Sequence, residues 1–308
     1  MRAWRHRLPA QIAGLIAAVL LLALVLFRST VYEPPPRPEA AAPAATPHSG
    51  PAQARIVSVR GEVERGSAGG GWSAVQPGQT VHADDLLRTG AHGATDLTIG
   101  ERSRVSLGES TELSIRELTD SVHRFRLTRG RMVADYDRDG KRLLRVEDGQ
   151  GEAVAETRAA RFSVLSTGTG IAVATTAGAV DLSARRRTVH VSEGQQSFVA
   201  QGAPPARPSP VPTAVLLKVA NALAGESASV CAEIDGSASP GSEVTVDDVP
   251  VPLGADGRFN RQVPRTAGKR GVRILIRDAA GHQKARTVPC SPTPAEIDDM
   301  AIRWKQAP

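Results

Sequence analysis

Aromatic residues are scarce in this sequence, at 3% of 308 residues, and only two cysteines are present. The 29 glycines and 22 prolines instead favour many short strands and turns over a helical bundle. Two cysteines without further partners are too few for a metal centre or a catalytic site. No nucleophile elbow, phosphate-binding loop, catalytic carboxylate pair or dinucleotide fingerprint occurs in the required context. We therefore predict a mainly β protein with no catalytic residue, no cofactor-binding residue and no metal site.

A long apolar run lies near the beginning of the sequence. Arg2, Arg5 and Arg7 precede residues 10–27, which are apolar except for Gln11. Eighteen residues span roughly 27 Å as a helix, close to the thickness of the hydrocarbon core. Residues 10–27 are therefore predicted to be a transmembrane helix, with residues 1–9 in the cytoplasm and the bulk of the chain in the periplasm.

A cleaved export signal is the alternative for this segment. The apolar run is longer than a typical signal core, and the following Arg28-Ser29-Thr30 offers no small-x-small cleavage site. A retained anchor is thus preferred, and the protein is expected in the bacterial inner membrane as a single-pass protein.

The net charge of +6 would favour a nucleic-acid partner if the chain were cytoplasmic. Export makes anionic lipid headgroups or envelope polymers the more plausible partners, and an ordinary solvated surface is the alternative. No nucleic-acid partner is expected.

Two proline-rich stretches divide the exported part of the chain. Residues 28–54 have no apolar period and are predicted to be an extended linker. Residues 201–212, with the sequence QGAPPARPSPVP, are predicted to be a second linker. Two folded units are expected, at residues 55–200 and 213–292, followed by a tail at residues 293–308.

The first unit has the period-2 pattern of half-buried strands. In GATDLTIGERSRVSLGESTELSIREL, residues 93–118, apolar pairs recur every eight residues. The pairs are Leu97 and Ile99, Val105 and Leu107, and Leu113 and Ile115. So many one-sided strands can be buried only against a second sheet or by curling one sheet, so a sandwich or roll of short strands is predicted.

Several motifs of this unit resemble the FecR-type extracytoplasmic domain. In order they are GEVERG, PGQTVHADDLLRTGAHGATDLTIGERSRVSLG with a "D-x-L-x-T-G" element at Asp85 to Gly90, FRLTRGRMVA, RFSVLSTGTGIAVATTAGAVDLS and VHVSEGQQ. The chain departs from the family pattern at Ala159-Ala160-Arg161, where the family has Gly-Thr ahead of the Phe.

The resemblance implies an interaction module outside the cytoplasm. Family members that regulate iron uptake carry a cytoplasmic anti-sigma segment, whereas residues 1–9 are too few to form a stable helix. Sigma-factor binding by this chain is therefore not expected. We predict a non-enzymatic, membrane-anchored periplasmic protein that binds a protein or an envelope polymer in envelope signalling. The alternative is a structural spacer or assembly subunit of an envelope machine.

The second unit resembles a small bacterial immunoglobulin-like β-sandwich. The motifs "PG-x-x-V-x-V", "DG-x-F" and "I-x-x-x-D-x-A-G" occur in that order, beginning at Pro240, Asp256 and Ile274. Such motifs indicate a scaffold rather than an activity. Export favours a disulfide between Cys231 and Cys290, worth about 4 kcal/mol for such a loop, and two separate buried thiols are the alternative.

Residues 135–140, DYDRDG, match the opening of a calcium loop, but Val146 stands where the bidentate acid is needed. An Asp-Gly hairpin turn between MVADY and RLLRVE is predicted instead.

Two other segments are candidate partner contacts. Arg185, Arg186 and Arg187 are expected at a hairpin turn, either as solvated residues or as a polyanion contact. In residues 293–308, Thr293 and Glu296 form a capping box that predicts a short amphipathic helix. Its Trp304 is expected either to dock on the chain's own β-sandwich or to anchor a partner.

Overall fold

The computed structural model describes residues 53–67, 69–136, 141–219, 233–263 and 271–289. Within these ranges the regular elements are all β strands, which confirms the mainly β prediction. None of the described residues belongs to a helix that could cross a membrane. The helices predicted at residues 10–27 and 293–308 lie outside the described residues.

The described part of the first unit contains sixteen strands. They are β1 (Ala54–Arg60), β2 (Val63–Ser67), β3 (Ser73–Ala74), β4 (Thr80–Val81), β5 (Asp85–Thr89), β6 (Ala94–Ile99), β7 (Ser103–Leu107), β8 (Glu112–Leu118), β9 (Val122–Tyr136), β10 (Leu143–Asp148), β11 (Ala153–Thr157), β12 (Ala160–Ser166), β13 (Gly170–Ala184), β14 (Arg187–Ser192), β15 (Gln195–Ala200) and β16 (Ser209–Pro210).

These strands form two sheets that share the long strands β9 and β13. Sheet 1 has the order β4-β1-β6-β7-β9-β12-β13-β15-β16. Sheet 2 has the order β3-β2-β5-β8-β9-β10-β11-β13-β14. The apolar pairs of the eight-residue repeat are buried in the core between them. The sequence prediction of one-sided strands closed against each other is therefore confirmed.

Each long strand changes sheet at a glycine. The first half of β9 pairs in sheet 2, whereas its second half, from Gly130 onward, pairs in sheet 1. In β13 the order is reversed, and the change occurs near Gly178. Gly130 has φ +85° and Gly178 has φ +75°, values that side-chain-bearing residues rarely adopt. Each of these two glycines allows its strand to belong to both of the sheets that enclose the core.

The folding-over of β9 explains an unusual pairing. Strands β9 and β10 are parallel, with Leu143 opposite Val122, although few residues separate them. Parallel neighbours ordinarily need a long crossover connection, and here the second half of β9 provides it by running through sheet 1. The two ends of β9 meet in the core, where Tyr136 Oη lies 2.9 Å from His123 Nδ1.

The hairpin predicted between MVADY and RLLRVE is therefore wrong. MVADY pairs with β12 and β7 in sheet 1, whereas the strand that contains Leu143 lies in sheet 2. The prediction rested on the local Asp-Gly turn signal. That signal carries no information on the change of sheet that β9 makes at Gly130.

Residues 203–211 follow the edge of sheet 1. Ala206 N donates to Phe198 O at 2.8 Å, Ser197 Oγ donates to Ala206 O at 2.7 Å, and Val211 N donates to Gly194 O at 2.9 Å. The proline-rich segment thus leads the chain along β15 toward the second unit.

The second unit has two small sheets that pack on one core. Its strands are β17 (Leu217–Val219), β18 (Glu233–Ala238), β19 (Glu243–Val246), β20 (Val249–Val251), β21 (Arg258–Gln262), β22 (Gly271–Arg277) and β23 (Gln283–Pro289). The sheet orders are β17-β18-β21 and β20-β19-β22-β23. Leu217, Ile234, Phe259, Ile274 and Ile276 contribute to the shared core. Cys231 and Cys290 lie outside the described residues, and so does their predicted disulfide.

We predict that Gly130→Ala destabilises the protein more than Gly194→Ala does. A Cβ at residue 130 would lie 2.5 Å from Thr111 Cα, whereas Gly194, with φ +74°, has open space. The left-handed conformation alone costs roughly 1–2 kcal/mol, and the forced contact adds about 1–3 kcal/mol at residue 130 only. Urea unfolding followed by circular dichroism measures both variants. Equal losses would show that the corner has no packing requirement.

Candidate interaction surfaces

The outward side of sheet 2 carries a row of charged side chains. Registration across four strands aligns Glu117 of β8, Arg124 of β9, Arg145 of β10 and Glu156 of β11. Arg124 Nη2 lies 3.2 Å from Glu117 Oε2, and Arg145 Nη1 lies 2.9 Å from Glu156 Oε1. We call this surface the charged face. Opposite charges attract one another between β8 and β9 and between β10 and β11, whereas Arg124 and Arg145 are like charges that oppose each other across β9 and β10.

Glu147 lies at the centre of the charged face. Arg126 Nη2 is 3.0 Å from Glu147 Oε2, and Arg145 Nε and Arg124 Nη1 are 3.5 and 3.9 Å from Glu147 Oε1. The carboxylate side chain is 10% exposed. One buried acid therefore holds three neighbouring arginines together, which offsets their mutual repulsion.

The same compensation continues toward β2. Arg88 Nε lies 2.5 Å from Glu64 Oε2, and Arg129 Nε lies 3.7 Å from Glu112 Oε2. Arg88 also stacks on the Trp72 ring at 4.1 Å from the centroid. Half-exposed pairs of this kind contribute at most about 1 kcal/mol each. Their main effect is to leave little unbalanced charge on this part of the sheet.

The positive charge is unbalanced at the opposite end of sheet 2. Arg185 and Arg186 form the two-residue turn between β13 and β14, and Arg187 begins β14. We call these three residues the arginine turn. Arg185 Nη2 lies 3.6 Å from Glu152 Oε2. The side chains of Arg186 and Arg187 are exposed and make no ion pair or hydrogen bond with the described residues.

The backbone of the arginine turn is strained. Arg185 has φ +49° and Arg186 has φ +60°, the combination of a type I′ turn, in which asparagine and glycine are preferred. A residue with a Cβ pays roughly 1–2 kcal/mol for this conformation. Observed strain of this kind is a reason to look for a function.

A second surface joins the two β units. Arg131 of β9 donates from Nε to Ala279 O at 2.9 Å and from Nη2 to Ala280 O at 3.1 Å. Ser163 Oγ of β12 donates to the same Ala279 O at 2.6 Å. Burial lowers the pKa of Arg131, nearby Asp278 raises it, and the net direction is downward. We call this surface the junction.

An ion-pair bridge reinforces the junction. Arg277 Nη1 lies 2.6 Å from Glu109 Oε1 of the first unit, and its Nη2 lies 2.7 Å from Glu243 Oε2 of the second. The Arg277 side chain is only 11% exposed. Removing one partner of such a pair leaves a poorly solvated charge, so the bridge resists separation of the units. Apolar contacts add to it, because Ala279 shares a buried cluster with Leu165, Ala172 and Ala174.

A cleft of about 320 Å³ lies beside the junction. It is lined by Phe198, Pro210, Pro240, Ser242 and Asp278, among others. Ser242 Oγ is buried and has no hydrogen-bond partner among the described residues. A cleft of this size can hold several water molecules.

The structure describes only some of the predicted site residues. Arg185, Arg186 and Arg187 lie together, whereas Cys231, Cys290 and Trp304 lie outside the described residues. Of the calcium-like segment, Asp135 and Tyr136 are described, and Asp135 pairs with Arg161 at 2.7 Å. In the described part of the chain, no group of three or more His, Cys, Asp or Glu side chains could hold a metal ion.

Sequence reasoning missed Arg131, Ser163 and Arg277. The signal available for Arg277 was its position directly before the D-x-A-G turn of the second unit. Arg131 and Ser163 are outward positions of ordinary strands, and nothing local distinguishes them from solvated residues.

Comparisons with known proteins bear on the first unit. Residues 85–181 match the family model described as FecR protein. Two solved structures of a candidate anti-sigma factor from Parabacteroides distasonis ATCC 8503 are similar, at 16% and 15% identity and a TM-score of 0.36. In each case the match covers 41% of this chain and 59% of that chain. Comparison with curated proteins finds no match.

We predict that Arg131→Ala loosens the junction and that Arg129→Ala does not. Arg131 loses two hydrogen bonds from a charged donor, each worth about 1.5–3 kcal/mol, whereas Arg129 on the same strand is 56% exposed and lies 3.7 Å from Glu112. Spin labels at the exposed residues Arg116 and Arg273, attached without cysteine chemistry, report the distance between the units. A broadened distribution for Arg131→Ala alone is expected. Unchanged distributions in both variants would mean that the junction does not depend on Arg131.

We also predict that the double variant Arg185→Asn/Arg186→Gly is more stable than the natural chain. Asn-Gly is the preferred type I′ pair, so relief of strain is expected to add about 1 kcal/mol. The melting temperature measures this gain. Arg187→Ala is the control, because Arg187 lies in a strand and its exposed side chain contributes within about 0.5 kcal/mol. A lower melting temperature for the double variant would show that the arginines stabilise the turn.

Proposed function

We propose that the protein is a non-enzymatic binding module of envelope signalling, on the premise that residues 85–181 match the FecR protein family model. The family relationship supports regulation rather than catalysis. The proposed module is anchored in the bacterial inner membrane by residues 10–27, with both β units in the periplasm and residues 28–54 as the spacer between them and the bilayer. The proposed partner is an envelope protein or polymer.

The observation that carries this proposal is the contrast between the charged face and the arginine turn. Arginines in the interior of the charged face lie beside carboxylates, whereas the side chains of Arg186 and Arg187 are exposed and form no ion pair within the described ranges. A surface that served only solubility would not need two arginines in a strained turn. Recognition of an anionic group would use both their charge and their projection from the sheet.

The junction favours the second candidate function, a structural spacer or assembly subunit. Hydrogen bonds from Arg131 and the bridge through Arg277 fix the second unit on the first. Two units fixed to each other in this way can hold other envelope components at a set distance, just as a single rigid domain can. We propose an immunoglobulin-like scaffold role for the second unit, stabilised by a Cys231–Cys290 disulfide. Trp304 is proposed to dock on this unit or on a partner.

Two perturbations distinguish binding from spacing. Arg186→Glu/Arg187→Glu reverses the exposed charge at constant length, whereas inserting a flexible segment of about 20 residues into residues 28–54 lengthens the tether by roughly 25 Å at constant surface. Each variant replaces the natural gene in its own host, and genome-wide transcription is compared with that of a deletion strain.

The binding proposal expects charge reversal to reproduce the deletion profile and the insertion to resemble the natural strain. The spacer function expects the opposite pattern. A deletion strain whose transcription is unchanged under envelope stress would contradict a signalling role.

A further inference from the structure

Strand β14 forms an open edge of sheet 2. It pairs with β13, and no other described strand pairs with its second side. An edge strand of this kind exposes a row of unpaired backbone donors and acceptors, which is a template for another strand.

The register identifies the backbone groups that face outward. Ala184 and Arg187 close a two-residue turn and are therefore a hydrogen-bonded pair. Pairs alternate along an antiparallel ladder, so Ser183 and Thr188, and then Asp181 and His190, are pairs without mutual backbone bonds. The N–H and C=O groups of Thr188 and His190 consequently point away from β13. No described backbone group bonds to them.

Edges that must stay free usually carry devices that block pairing, such as a proline, a bulge or charged side chains. Strand β14, with the sequence RTVHVS, contains no proline, and its pairing with β13 is regular. Its one arginine, Arg187, shares the face of Val189 and Val191 but is exposed at the first position of the strand. Val189 and Val191 face the core side, and Val191 is buried. The edge strand is thus regularly paired along its length, and Val191 anchors it in the core.

The arginine turn lies at the beginning of this same edge. Arg186 and Arg187 have no carboxylate among the described residues, so a segment that carries acidic side chains would supply the missing partners. The nearby carboxylate of Asp181 does not reach the arginines but lies 2.7 Å from His190 Nδ1. Charge and backbone pattern therefore specify one kind of occupant, an extended acidic peptide.

We propose that an acidic segment of a partner protein adds as a strand to β14, with its backbone bonded to Thr188 and His190 and its carboxylates against Arg186 and Arg187. This inference rests on the proposed binding function and specifies the chemistry of its partner. Main-chain hydrogen bonds provide the register of such complexes, and side chains provide the specificity.

The probe is an eight-residue peptide of alternating glutamate and valine, labelled with a fluorophore and titrated with the full-length protein in detergent. The matched probes are a lysine-valine peptide and a glutamate-valine peptide methylated on alternate backbone nitrogens, which keeps the charge but cannot pair as a strand. Binding of the unmodified acidic peptide alone is expected. Hydrogen exchange should slow at Thr188 and His190 when it binds.

Protein variants test the two components separately. Arg186→Ala/Arg187→Ala should weaken binding roughly three- to tenfold at low salt, as expected for the loss of two exposed ion pairs. Thr188→Pro removes an outward N–H and should weaken binding by about tenfold, whereas Thr188→Ala, which retains the N–H, should bind as the natural protein does. A Thr188→Pro variant that keeps the natural melting temperature excludes misfolding as the cause.

Equal binding of the methylated peptide would overturn strand addition and show that the arginine turn captures anionic polymers of any conformation. Absence of binding by the unmodified peptide would also overturn the inference. Neither result would refute the binding function, because charge reversal in cells tests that function independently of the peptide.

Discussion

Strands β9 and β13, of fifteen residues each, both belong to two sheets, and the fold of the first β unit depends on the bend within each strand. Gly130 and Gly178 accept left-handed backbone conformations there, and a Cβ at either position would overlap neighbouring backbone. Because β9 folds over at Gly130, its own second half serves as the crossover that lets β10 lie parallel to its first half. The closed core, the charged face and the platform for the second unit all follow from this geometry.

The distribution of arginine gives the two faces of the unit different roles. On sheet 2, Glu147 and its neighbours neutralise arginines that would otherwise repel one another. On sheet 1, Arg131 is turned against the second unit and satisfied by main-chain oxygens. Positive charge remains available at the arginine turn, where the backbone is also strained.

The strands and their inward residues could be predicted from the sequence because a period of two is a local property. Leu97, Val105 and Leu113 are buried as their spacing indicated. The hairpin predicted after MVADY was wrong because the sheet to which a strand belongs is decided by distant partners. The junction could not be predicted, since Arg131 and its acceptor are 148 residues apart and the acceptor is a carbonyl that every residue possesses.

The acceptors at the junction have a consequence for how such proteins vary. Ala279 and Ala280 contribute carbonyl oxygens, so the identity of their side chains is constrained by size but not by hydrogen-bonding chemistry. Most substitutions between small residues in this turn would keep the docking intact, whereas Arg131 and Ser163 have no equivalent freedom. The second unit could therefore diverge, or be exchanged for another sandwich with a turn of the same shape, while the first unit kept the same docking surface. Exchange of the second unit would then need a shared loop geometry and a cation placed to reach Glu109, as Arg277 does.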